Sequence, residues 1–381
     1  IGGQSPTHAG GPGSTGPYGN AAQPGGPDDR RRSKNRTPLL IGGAIVAVGA
    51  ILATALTLSS GGDDKNTAAG TAATATATAP AAAGTLPASA QPLGEDRIVY
   101  TAKKNGNYDL YSAAVPASGL ITDVKRITST PGNEVLPVIR PGRKTVVYFT
   151  KDSDGANRYM AIAADGKSKP VSLFATGEAA NLTIPNDSRP SFSPDGGSVV
   201  TRSTTDGTSG PIPGLYTVNL KTSKVSQIKN AAAQATDPAW SPSGDKIAYW
   251  ANATGGDRGF IVIIGPQDGA QPIRLTEGQG NGDSDPAWSP DGGKIAFSRA
   301  AGGDLEIFEM NSDGSSIQQL TQAKGDDQDP TFAADGQLVF SAQREGEGKQ
   351  LHVLNPQDPA ATDHAITTGG DQPAHVRWNA G

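Results

Sequence analysis

Asp285-Pro286-Ala287-Trp288-Ser289-Pro290-Asp291-Gly292-Gly293-Lys294-Ile295-Ala296-Phe297-Ser298 is the stretch on which the fold turns, because the chain writes it repeatedly. Its relatives are DPAWSPSGDKIAYW from Asp237, RPSFSPDGGSVVTR from Arg189, DPTFAADGQLVFSA from Asp329 and a more divergent LPVIRPGRKTVVYF from Leu136. A truncated QPAHVRWNAG begins at Gln372. With proline as marker, the copies fall at Pro137, Pro190, Pro238, Pro286, Pro330 and Pro373, 43 to 53 residues apart. A period of that size belongs to propeller blades or to helical repeats. Helices are disfavoured, because the apolar runs are short, rich in β-branched and aromatic residues, and broken by glycine-containing turns.

Four strands can be read in the unit from Pro286: an inner one around Ala287-Trp288, then Lys294 to Ser298, Leu305 to Met310 and Ile317 to Thr321. Asp291-Gly292, Gly302-Gly303 and Asp313-Gly314 supply the positive backbone angles of the connecting turns. The ends of the repeat region are informative too. Arg97-Ile98-Val99-Tyr100 reads as a second strand, Tyr108 to Tyr111 as a third and Arg126-Ile127-Thr128 as a fourth, whereas Val376-Arg377-Trp378 reads as a first strand after which the sequence stops. The reading predicts an all-β, six-bladed β-propeller over residues 95–381, closed by a carboxy-terminal first strand that joins three amino-terminal ones. Closure removes the exposed sheet edges that invite aggregation.

The D-P-x-W/F-S-P-D-G repeats followed by K-I-A-Y/F resemble those of TolB-like propellers, over about residues 95 to 381. The resemblance implies a binding or docking domain. Propellers of this repeat type also front some serine peptidases, but those need a separate hydrolase domain.

Upstream, the composition changes. Residues 1–37 are a Gly/Pro-rich tether, expected to be disordered and cytoplasmic, that ends in the basic cluster Arg30, Arg31, Arg32, Lys34 and Arg36. Residues 38–60 are an uncharged run, LLIGGAIVAVGAILATALTL at its centre. At about 1.5 Å per residue it is long enough for one transmembrane α-helix across the roughly 30 Å hydrocarbon layer. Cations before the run and Asp63 and Asp64 after it place the amino end in the cytoplasm and the propeller outside the cell membrane. A cleaved signal peptide is the rival, through Ala53-Thr54-Ala55. Residues 61–94, rich in Ala, Thr and Pro, read as a stalk. This layout is similar to the rear half of actinobacterial receptor-like serine/threonine kinases. The chain begins at Ile1 rather than Met, which fits a processed product or the last part of a longer protein.

Of the 381 residues, 35% are hydrophobic, and 50 glycines and 29 prolines match a turn-rich domain with long flanks. A net charge of -5 without a clustered basic surface on the folded part excludes a nucleic-acid partner. Cysteine is absent, which excludes disulfides and thiolate chemistry. No nucleophile elbow, phosphate-binding loop or H-E-x-x-H is present, and His8, His352, His364 and His375 are scattered. Neither a catalytic residue, nor a cofactor, nor a metal is expected.

The repeated aspartates Asp237, Asp285 and Asp329, with Asp187 and Asp371 slightly displaced, read as structural hydrogen-bonders at the entry to each inner strand. Trp240, Trp288, Trp378 and Phe192 read as packing between blades. Lys151-Asp152-Ser153-Asp154-Gly155-Ala156-Asn157 resembles the start of a calcium loop but lacks the acidic closing residue, so a hairpin turn is expected. Function is expected where blades differ. The loops into the last inner strands carry Glu277, Asp283, Asp326 and Asp327, and Asp283, Asp326 and Asp327 are the candidate ligand-binding set, an acidic mouth for an envelope protein, a peptide or a cationic ligand. A sensor ectodomain and a free-standing envelope scaffold of the TolB type both fit this reading.

Overall fold

The structure, a computed structural model, describes residues 85–378 apart from 105, 187, 209–210, 253–258 and 278–281. The tether, the 38–60 run and the stalk up to residue 84 lie outside the described residues, so the expected membrane helix lies there too. Among the described residues no helix is long and apolar enough to cross a membrane.

Six four-stranded sheets are formed, each built from antiparallel neighbours. Blade 1 pairs Ala374–Arg377 with Arg97–Lys104, which continues into Asn107–Ala114 and Thr122–Arg126. The ring therefore closes as the repeat pattern predicts, one strand from the carboxy end completing three from the amino end. Blades 2 to 6 follow in chain order with inner strands Val135–Ile139, Ser191–Phe192, Thr236–Trp240, Asp283–Trp288 and Gly325–Phe332. The fourth strand of blade 1 lies just ahead of Ile127-Thr128 rather than on it.

Each strand in the middle of a blade is buried on both faces. Alternate residues point to opposite sides, and each side packs on a neighbouring blade. Ile98 and Tyr100 join Val339, Leu351 and Val353 of blade 6, while Val99 joins Ile139, Val146 and Tyr148 of blade 2. Six such apolar clusters occupy the six interfaces between blades. This is why the strands read as continuous apolar runs and not as alternating ones.

The S-P-D-G turn has a specific chemistry. Ser289 Oγ donates to Asp291 Oδ1 (2.6 Å), which also accepts from Gly293 N (3.0 Å), and Lys294 N donates to Ser289 Oγ (2.9 Å). Gly292 takes a φ of 71°, where a side chain costs roughly 1 kcal/mol. Blade 2 breaks the pattern: its turn is Arg140-Pro141-Gly142-Arg143, and Arg143 occupies the left-handed position with a φ of 52°.

Arg143 makes use of that position. Its guanidinium donates to the carbonyls of Leu93 (3.1 Å), Gly94 (2.8 Å), Arg97 (2.8 Å) and Trp378 (2.5 Å). One side chain thus ties the chain's entry to its last strand. The entry segment, assigned by composition to the stalk, is fixed further by Ser89 N to Lys144 O, by Leu93 N to Arg143 O and by Leu86 packing on the blade 2–blade 3 core.

Candidate functional site

Five of the six inner strands are interrupted by an irregularity in their pairing, such as that between Ser284 and Ala287. The first residue of each kink faces the ring's axis. Matching these registers, and in blade 3 the repeat position two residues ahead of Ser191–Phe192, gives one residue per blade: His375, Leu136, Arg189, Asp237, Asp285 and Asp329 for blades 1 to 6. All but Arg189 have positive φ, from 44° at Asp237 to 60° at Asp329. This register corrects the proline count at the last copy. Val376 stands in the proline's place and His375 in the aspartate's, whereas Asp371 sits in a short 3₁₀ turn and pairs with Lys104 at 2.9 Å. Asp187 lies outside the described residues.

The axis is therefore plugged by charge. Arg189 of blade 3 reaches across to Asp329 of blade 6 (2.9 Å), which also binds Arg377 (3.0 Å) and His375 Nδ1 (3.3 Å). Asp237 accepts from Trp250 Nε1 (2.8 Å), and Asp285 accepts from Ser284 Oγ (3.0 Å) and Ser298 Oγ (3.1 Å). The three carboxylates diverge because their partners do. Burial works to raise Asp329, but Arg189 and His375 outweigh it and hold the carboxyl below its usual range. Among the described residues no guanidinium bonds Asp285, and burial, followed by the charges of Asp237 and Asp329, pushes it up to about 7. Asp237 is raised chiefly by burial, against Arg189. The structural role expected of these aspartates is thus joined by an electrostatic one, and Arg189 supplies the cation. Among the described residues no cluster of His, Asp or Glu is arranged to hold a metal ion.

Above this plug lies a cavity of about 270 Å³ to which all six inner strands contribute. Its walls are Pro190, Pro238, Pro286, Trp240 and Trp288, and its floor holds Arg189, Arg377 and Asp237. Pro141, Pro194 and Pro242 at the rim show that it opens on the face carrying the S-P-D-G-type turns. Trp288 is fixed by donating from Nε1 to Ala239 O of the preceding blade (2.9 Å) and Trp378 by donating to Glu95 O (2.7 Å), so both link elements, while Trp240 stays half-buried at the rim.

The acidic set lies at the other end of the inner strands, and it is not an open mouth. Asp283 is buried and gripped by Arg299 through two bonds (2.6 and 2.9 Å). Asp327, also buried, is gripped by Arg344 in the same way (3.1 and 2.8 Å), and Arg344 bonds Asp363 as well (2.6 Å). Only Asp326 is exposed, and its Oδ1 accepts from Leu305 N (3.0 Å). The expectation of a shared cation-binding field at Asp283, Asp326 and Asp327 is corrected accordingly: two of the three spend their charge on arginines. Arg299 sits on the next strand directly opposite Asp283, and Arg344 sits on the next strand opposite Gly325, two residues from Asp327's own partner, a pairing invisible until the register is known. Asp152 is likewise a turn residue, its Oδ1 accepting from Asp154 N (3.0 Å) and Ala156 N (2.8 Å).

These features define a closed six-bladed propeller with a plugged axis and one apolar-walled axial cavity. Residues 270–380 match the family model of the TolB beta propeller domain. TolB from Acinetobacter baumannii superposes with a TM-score of 0.60 at 19% identity, covering 74% of this chain and 67% of that one. A TolB-type protein from Agrobacterium tumefaciens gives 0.55 at 19%, covering 66% and 88%. The tricorn protease gives 0.52 at 18%, covering 74% of this chain and 26% of that one. The domain is a six-bladed β-propeller whose last part matches that family model, and at these identities the likeness to the solved structures is one of fold.

Proposed function

We propose that this protein is a non-catalytic interaction module, held at the outer face of the cell membrane by residues 38–60, whose partner docks over the axial cavity. The observation that carries it is the cavity: it combines aromatic and proline walls with charged groups on its floor, the composition of a recognition pocket. The family resemblance to protein-docking propellers supports the same reading. The cationic flank before Pro38 and the acidic flank after Ser60 support the anchored topology.

A photoreactive benzophenone residue at Ser243, in the exposed turn beside the cavity, should cross-link the partner in intact cells, while the same residue at Asp326 should not. Cross-links from Asp326 alone would overturn the docking face. Thiol labelling of intact cells should reach a cysteine placed at Ala72 and spare one at Ser14; the reverse pattern would overturn the topology. The layout of tether, span, stalk and propeller also supports a sensor ectodomain of a receptor-like serine/threonine kinase. Reading the gene upstream of Ile1 tests that: kinase motifs there support the receptor, and their absence favours a TolB-type scaffold.

A further inference from the structure

The axial cavity has a chemical asymmetry. Arg189 and Arg377 are both about nine-tenths buried, 9% exposed each, and both spend one nitrogen on the single carboxylate of Asp329. Arg189 Nε is buried without a partner. Among the described residues, no acceptor meets Nε or Nη2 of Arg377 either, and both side chains line the cavity. Guanidiniums carry five donors each. Two of them sharing one carboxylate therefore leave more donors than acceptors at the floor of the cavity, with Nε and Nη2 of Arg377 the ones left for a ligand there.

The acids do not cancel that excess. Asp329 already holds Arg189, Arg377 and His375, and Asp285 is behind the plug, bonded to Ser284 and Ser298. Asp237 is the one carboxyl on the cavity wall; it accepts from Trp250, and its burial favours the uncharged form. The cavity thus offers two cations, one weakened anion and walls of Trp240, Trp288 and proline rings. At about 270 Å³ it falls just under the roughly 300–1,000 Å³ of pockets that enclose a drug-sized ligand. It fits a chain end or one side chain with its neighbour, not a folded surface.

We infer that the axial cavity receives a carboxylate of the partner chain, an apolar residue beside it lying on Trp240 and Trp288 and the carboxylate meeting the free donors of Arg377, with the buried charge of Arg189 beside it. The partner's anchor is thereby anionic and apolar together, the opposite in sign from what the acidic loops of the sequence imply. The inference rests on the docking face proposed above. Bidentate guanidinium–carboxylate contact in a water-poor site is among the stronger polar interactions available, and the apolar walls exclude water from it.

The test uses the full chain and three N-acetylated tripeptides titrated by calorimetry: Ala-Pro-Leu with a free carboxylate, the same peptide as its carboxamide, and Ala-Leu-Glu as its carboxamide. The free-carboxylate peptide, the glutamate peptide or both should bind about ten-fold or more tightly than the neutral carboxamide, as expected for a charged hydrogen bond; which of the two leads shows whether a chain terminus or a side chain is the natural ligand. Arg377→Gln should erase the preference, Arg377→Lys should keep part of it, and Trp240→Ala should weaken all binding peptides alike. The peptide comparison on the unaltered protein needs no variant, so it stands even if Arg377→Gln fails to fold. Equal binding of all three, weakened by Trp240→Ala, would overturn the anionic anchor and leave the docking face intact. No binding of any peptide at millimolar concentration would overturn both.

Discussion

Replacing Arg143 should loosen the ring at its seam. The guanidinium makes four bonds to main-chain carbonyls of Leu93, Gly94, Arg97 and Trp378, and among the described residues no carboxylate bonds it. Hydrogen bonds from a charged donor contribute about 1.5–3 kcal/mol each before offsets. Burial of the guanidinium opposes this, enough to lower its pKa despite Glu95 and Asp96 nearby, and Gly94 O is exposed enough for water to replace the lost donor. Arg143→Ala should therefore cost about 3 kcal/mol, or about 5 °C in melting temperature for a domain of this size. Arg143→Gly loses the same bonds but relieves the positive φ of 52°, so it should recover roughly 1 kcal/mol of that loss. Denaturant unfolding followed by tryptophan emission reads both, and thermolysin cleavage before Ala88, Ala90 or Leu93 should accelerate in both. If Arg143→Ala unfolds within about 0.5 kcal/mol of the parent, or if Gly is worse than Ala, the clasp is not what holds the seam.

Deleting residues 374–381 should leave Arg97–Lys104 as a bare edge and uncover Ala333, Val339 and Val353, so the domain should aggregate or lose its sharp transition; an unchanged melt would refute the closure. Asp285→Asn tests the plug. A carboxyl at about 7 when folded against 3.8 for an ordinary aspartate keeps a proton that the unfolded chain sheds, so the folded state binds more protons and stability falls as pH rises from about 4 to above 7. Asp285→Asn should flatten that fall and be the more stable protein at pH 8; a variant whose stability follows the parent's pH profile would contradict this. Asp283→Asn should lose about 3 kcal/mol by stranding the buried guanidinium of Arg299, Asp327→Asn about 2 kcal/mol because Asp363 still holds Arg344, and Asp326→Asn about 1 kcal/mol or less; equal and negligible effects at all three, measured by thermal melting, would restore the open acidic mouth.

The repeat by itself determined the architecture. Proline-marked copies, turn glycines and a sequence that starts on a second strand and ends on a first leave a six-bladed closed ring as the consistent solution, because strand order and closure are properties of chain order. Even the odd blade was visible, since Arg140-Pro141-Gly142-Arg143 breaks a pattern kept elsewhere, although nothing in the sequence says that Arg143 reaches carbonyls at both ends of the domain. Charge was the part that tertiary structure decided. Asp283 and Asp327 look like neighbours in acidic loops, but strand register sets each against an arginine, Arg299 or Arg344, one strand away. Asp285 and Asp329 are one residue type at one repeat position, yet they are driven in opposite directions because Arg189, 140 residues before Asp329, crosses the axis to only one of them. Sequence lists which charges exist; their sign and strength at a surface depend on which of them are within a few ångströms in a low-dielectric interior, and only the closed ring sets those distances.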